Sequence, residues 1–151
     1  MKQNGMSVIV KRITRITVSL IFLFGVYILL HGHITPGGGF AGGVIIALSF
    51  IHLVLAFGKE EAFKRVSEAA LPLIESLGGL IFLGIALLGL GAGFFFMNFL
   101  PKGRPFDLFS SGTIILCNIG IFLKVGAGLF SIFIALSILR LPAGEKEKEE
   151  K

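Results

Sequence analysis

The 151 residues contain no tryptophan, one cysteine and little charge. A single thiol excludes a disulfide framework, and no cysteine–histidine spacing suits zinc. Cys117 lies in an apolar run, where a free cysteine behaves as a small hydrophobe. With one tyrosine and no tryptophan the interfacial aromatic belt is thin, and sixteen phenylalanines supply the aromatic bulk instead. Charged residues make up 15%, against roughly 25% in a soluble domain. From Ile16 to Gly58, 43 residues pass without a Lys, Arg, Asp or Glu. That run is too long for one membrane span and fits two joined by a short turn. No serine–histidine–acid arrangement, metal motif or cofactor-binding fingerprint is present, so the sequence predicts no enzyme, no metal and no cofactor.

What is abundant is apolar: 54% of the chain is hydrophobic. The expected class is therefore an all-α integral membrane protein, a single membrane domain over 1–151. Four runs are long enough to span a bilayer, at about 13–30, 40–57, 71–99 and 110–139, and each is apolar all round. The basic start followed by an apolar run could be mistaken for a signal peptide. No small-residue cleavage site follows it, so it reads as a retained first span. Lysine and arginine counting sets the expected orientation. Eleven fall in the N-terminal flank, the 58–70 segment and the tail 140–151, against Lys102 and Arg104 in the loop after the third span. Both termini and the charged tail are thus expected on the cytoplasmic side, in a cell-membrane, multi-pass protein. The 58–70 segment, with Glu60–Lys64 and Glu61–Arg65 at i and i+4, predicts a short cytoplasmic helix leading to Pro72. The excess of positive charge follows topology and forms no continuous face, so no nucleic-acid partner is expected.

Between the first two spans lies GHITPGGGFAGG, residues 32–43, with six glycines and one proline. A phosphate cradle needs a lysine and a hydroxyl residue after the last glycine. Here Phe40 follows Gly39, and the next lysine is Lys59. The stretch predicts a packed turn instead. Pro36 fixes φ, while Gly37, Gly38 and Gly39 permit positive φ in a hairpin. Gly42 and Gly43 then let a neighbouring backbone come close.

The string HGHITPGGGFAGGVIIAL resembles the hallmark of the MnhB/MrpB family, small membrane subunits of Mrp-type multisubunit sodium/proton antiporters and of related membrane-bound hydrogenase complexes. The likeness is most specific over Gly32, His33, Pro36, Gly37, Gly38, Gly39, Phe40, Gly42 and Gly43. A second stretch, SSGTIILCNIGIFLKVGAGL, is similar to the last span of that family. Many antiporter members carry an aspartate there, where this chain has Asn118. The resemblance implies an accessory subunit of a cation/proton translocating complex, contributing helix packing and a stretch of the ion path. The other reading is a purely structural, sealing subunit of a hydrogenase-type respiratory complex. Either way the implied partners are other membrane subunits and lipid.

Few ionisable groups lie inside the spans. Lys124 sits near the middle of the fourth, where a lysine costs about 2.5–3.5 kcal/mol on insertion scales. Cys117, Gly120, Lys124, Gly128, Ser131 and Ala135 recur at three- or four-residue spacing, a small-residue stripe of the kind that marks a helix interface. Lys124 is therefore expected to point into protein, as a fixed anchor or as a proton or ion relay. Glu75 is the acid of the third span. With that span running to residue 99, the expected offset in depth from Lys124 is on the order of 10–15 Å, so the counter-charge is expected from another subunit. His52 is expected to be a hydrogen-bonded interhelical donor, and His33 to hold the glycine turn. Lys124, Glu75, His52, Asn118 and His33 are the candidate ion- or proton-path groups.

Overall fold

The structure is a computed structural model that describes residues 6–58, 69–104, 107 and 110–139. The expected short helix at 58–70 falls almost wholly, and the charged tail at 140–151 wholly, outside the described residues. Among those described there are four helices, each long and apolar enough to cross a membrane. They are α1 (Val8–His31), α2 (Gly38–Phe57), α3 (Ala70–Gly91) and α4 (Thr113–Leu139). The protein is thus all-α and multi-pass.

The helices stand in a row, α1 on α2, α2 on α4 and α4 on α3. Among the described residues α3 packs on α4 alone. Half of the apolar window of α2 is buried, against 11% for α1, which makes α2 an interior helix of the row. Antiparallel α1 and α2 cross where Gly25 meets Gly42 and Ile46. At the far end of this hairpin the Met6 amide donates to the Ala56 carbonyl at 3.1 Å. Lys11 and Arg15 lie over the Phe57 ring there, 5.9 and 5.4 Å from its centroid. Such basic groups on an aromatic at a helix C-terminus suit a membrane interface.

Helices α2 and α4 run parallel and change packing style along their length. At the glycine end they touch backbone to backbone. Lower down, bulk fills the space between them, with Phe50 5.6 Å from Phe130 between ring centroids. Phe130 belongs to the buried cluster of Ala47, Leu53, Val54, Leu71 and Ile134. Since α3 leans only on α4, an apolar groove of about 430 Å³ opens between α2 and α3, lined by Ile46, Phe50, Leu71, Leu123, Ala127 and Phe130.

The third helix ends at Gly91, eight residues short of the expected limit at Phe99. Gly93 takes φ +130° and Phe96 φ +62°, so the chain turns back on its own helix. The Phe96 amide donates to the Ala86 carbonyl at 3.4 Å, and its ring packs on Phe82 and Phe95 with centroids 5.1 and 4.8 Å apart. Hydropathy cannot separate a phenylalanine-rich turn from a helix, which is why the run reads as one long span. The fourth helix begins at Thr113, where Asn98 Oδ1 accepts from the Thr113 amide at 3.2 Å and from the Leu100 amide at 3.1 Å.

Candidate functional site

The glycine turn is a seat for α4. Gly37 and Gly38 take φ +140° and +67°, conformations that favour glycine, and carry the chain from the end of α1 into α2. Gly39 is already helical and lies against the Asn118 backbone, where a Cβ would overlap the Asn118 carbonyl oxygen and come within 2.9 Å of its Cα. The Asn118 side-chain amide lies beside both Gly32 and Gly38: a Cβ on Gly32 would be 3.1 Å from Nδ2, and one on Gly38 3.2 Å from Oδ1. One turn on, Gly42 and Gly43 are wedged between α1 and α4; a Cβ on Gly42 would be 2.9 Å from the Gly25 carbonyl, and one on Gly43 3.0 Å from that of Phe122. Pro36 is exposed in the turn, and Phe40 points away from the bundle at 63% exposure. The expectation of a packed joint therefore acquires a named partner, Asn118, some eighty positions away in sequence.

His33 ties the turn to the loop between α3 and α4. With its proton on Nε2 it donates to the Asp107 carbonyl at 3.0 Å, while Nδ1 is buried and unpartnered among the described residues. His31 instead faces back along its own helix; Nδ1 lies 3.1 Å from the Tyr27 carbonyl, and its ring stacks on Tyr27 with centroids 4.2 Å apart. The His33 bond thus joins the glycine turn to that loop.

The charged groups of the spans both lie along the α3–α4 seam. A Cβ on Gly78 would lie 2.6 Å from the Gly120 carbonyl and 2.7 Å from the Lys124 amide, so the small-residue stripe of α4 is a helix interface within the chain. Lys124 Nζ lies 3.6 Å from where a Cβ on Gly79 would be. The Glu75 carboxylate carbon lies 3.6 Å from where a Cβ on Gly128 would be. Gly79 is one turn along from Glu75 and Gly128 one turn along from Lys124, so the acid and the base occupy adjacent rungs of one ladder. This corrects the expected separation. Gly78 faces the backbone between Gly120 and Lys124, so Glu75, three residues before Gly78, lies within about one turn of Lys124 along the helix axis. Within this chain Lys124 is exposed at the edge of the seam, and Glu75 is half-buried. No hydrogen bond or ion pair joins either of them to another described residue.

His52 is half-buried on α2 and makes no hydrogen bond to another described residue, contrary to the interhelical donor expected of it. Level with the lower part of α4, it joins neither Asn118 nor Lys124. The structure thus gathers the candidate groups into two places, Asn118 with His33 at the glycine turn and Lys124 with Glu75 on the seam, and leaves His52 outside both. Among the described residues no three of His, Cys, Asp and Glu converge as metal ligands would. Sequence reasoning missed Asn98, whose capping contact spans fifteen positions, and the Asp107 carbonyl, which as a backbone atom leaves no trace in residue type.

Comparison with known proteins places this architecture. Residues 9–131 match the family described as a domain related to the MnhB subunit of Na+/H+ antiporter. The protein MJ1307 of Methanocaldococcus jannaschii is 35% identical over 140 residues, which cover 87% of this chain and 53% of that one. "Putative antiporter subunit mnhB2" of Staphylococcus epidermidis is 31% identical over 140 residues, covering 91% of this chain and 97% of that one. Its namesake in Staphylococcus haemolyticus is 33% identical over 143 residues with the same coverage. A chain in the structure of the membrane-bound sulfane sulfur reductase, an archaeal respiratory membrane complex, superposes with a TM-score of 0.71 at 33% identity, over 87% of this chain and 60% of that one. This chain therefore spans about half the length of MJ1307 and nearly all of the staphylococcal relatives.

Proposed function

The chain belongs to the MnhB family, and from that premise we propose that it is a non-catalytic membrane subunit of a multisubunit sodium/proton translocating assembly. Its partners are the other membrane subunits of that assembly. The observation that carries the reading is Lys124. A cation exposed halfway along an apolar helix is too costly to face lipid, so the face that bears it belongs against protein or a wetted path. One helical row, with α3 held on one side only, is too little to build an alternating-access route, so transport belongs to the assembly. Within it this subunit supplies helix packing through the glycine turn and a charged stretch of the cation or proton route at Lys124 and Glu75. The clustering of basic residues at the Met6–Phe57 end supports an orientation with both termini in the cytoplasm and the glycine turn outside.

The test is a tagged chain purified in mild detergent, with transport measured per assembled complex. Other membrane subunits are expected to co-purify, and Lys124→Met is expected to bring cation-coupled transport to background. A ring of this chain alone would refute the subunit reading, and undiminished transport per complex would refute the path. The likeness to the sulfane sulfur reductase chain favours one second reading, a sealing subunit of a respiratory complex without its own ion path. Undiminished transport in Lys124→Met is the result that reading expects.

A further inference from the structure

We infer that Glu75 is the counter-charge of Lys124, supplied by the same chain across the α3–α4 seam. The inference deepens the proposed role of that seam and rests on it. Three observations carry it. Glu75 and Lys124 stand on facing helices within about one turn of each other along one antiparallel seam. Neither has a hydrogen-bond or ionic partner among the described residues, so each is free to turn toward the other. The space that each side chain borders is kept clear by a glycine. Gly79 stands beside the lysine nitrogen and Gly128 beside the carboxylate, each leaving 3.6 Å to the place of a missing Cβ.

The electrostatics favour closure. In a low-dielectric setting, separate charges of opposite sign are each costly, and bringing them together recovers part of that cost only where geometry allows contact. A change of lysine rotamer along the glycine lane supplies the contact without moving either helix. Closed, the pair is net neutral at the edge of the seam, so the outer face needs no carboxylate from a neighbour.

A double-mutant cycle tests the pairing. The full chain is purified in dodecyl maltoside and unfolded by titration with SDS, for the parent, Lys124→Met, Glu75→Gln and the double variant. Each single variant leaves one charge unanswered and is expected to shift the folded-to-unfolded ratio about tenfold toward unfolding. The double variant is expected to return to within about twofold of the parent. Because a single variant can fail to fold, the charge exchange Glu75→Lys with Lys124→Glu is the second arm. It keeps both charges and is expected to fold like the parent. The inference is overturned if Glu75→Gln unfolds like the parent while the double variant is as weak as Lys124→Met, or if the exchanged chain does not fold. Transport per complex is read separately on the double variant. Coupled stability with transport intact would leave the pair standing and remove the ion-path role.

Discussion

The close seat of α4 on the glycine turn makes Gly39→Ala a demanding test of the architecture. A Cβ at that position is driven onto backbone atoms of Asn118, with its Cα at 2.9 Å, and backbone cannot rotate out of the way as a side chain can. Carbon–carbon contacts settle near 3.5–4.0 Å, so the two helices have to part by about 0.6–1 Å at this point. A gap of that size forfeits about a quarter to a half of the dispersion energy of the contacts around it. Overpacking of this kind costs about 1–3 kcal/mol, and the rigid obstacle puts Gly39 in the upper part of that range. Replacing a helical glycine by alanine recovers about 1 kcal/mol through propensity. The expected net loss is therefore about 2 kcal/mol, a shift in the folded-to-unfolded ratio of roughly thirtyfold. Gly84→Ala is the control, because it lies within α3 and nothing stands within 4 Å of its missing Cβ. That variant is expected to be neutral or up to about 1 kcal/mol more stable. Both are read by SDS-induced unfolding of the purified chain. If Gly39→Ala unfolds with Gly84→Ala, the contact between the turn and Asn118 is not part of the folded protein.

Two further outcomes follow from the loop contacts. His33→Ala removes the hydrogen bond to the Asp107 carbonyl and is expected to cost about 0.5–1.5 kcal/mol, with faster amide exchange around 107–112 by mass spectrometry; unchanged exchange there would count against the link. Asn98→Ala leaves the Thr113 and Leu100 amides without their shared acceptor, and a loss of about 1 kcal/mol with fraying of the first turn of α4 is expected. Asn98→Asp keeps the acceptor and should retain most of the stability, which an unrelated effect of position 98 would not reproduce.

The four apolar runs and the packed character of the 32–43 turn were legible because both follow from residue type over short windows. The partner of the turn was not, since nothing in the neighbourhood of Gly39 points to Asn118. The end of the third helix shows how one local ambiguity spreads. Residues 92–99 continue the apolar run of the helix before them, and only the positive φ of Gly93 and Phe96 reveals the turn. Counting those residues as helix lowered Glu75 by two turns and separated it from Lys124. For His33, a role within the turn was legible, but its acceptor is a carbonyl in another loop. For His52, the expected bond depended on what the neighbouring helix presents at that depth, and no hydrogen bond joins it to another described residue.

Insertion in a bilayer and the four spanning helices among the described residues were determined by the sequence alone, because the transfer free energy of each residue, and the need to satisfy its backbone, are properties of short segments. Which helix touches which, and therefore that an acid of α3 stands beside the lysine of α4 while α4 rests on a bare glycine turn, was decided only by tertiary structure. Those neighbours depend on where each helix stops and at what angle it crosses the next, and a backbone contact between glycines carries no side chain to announce it.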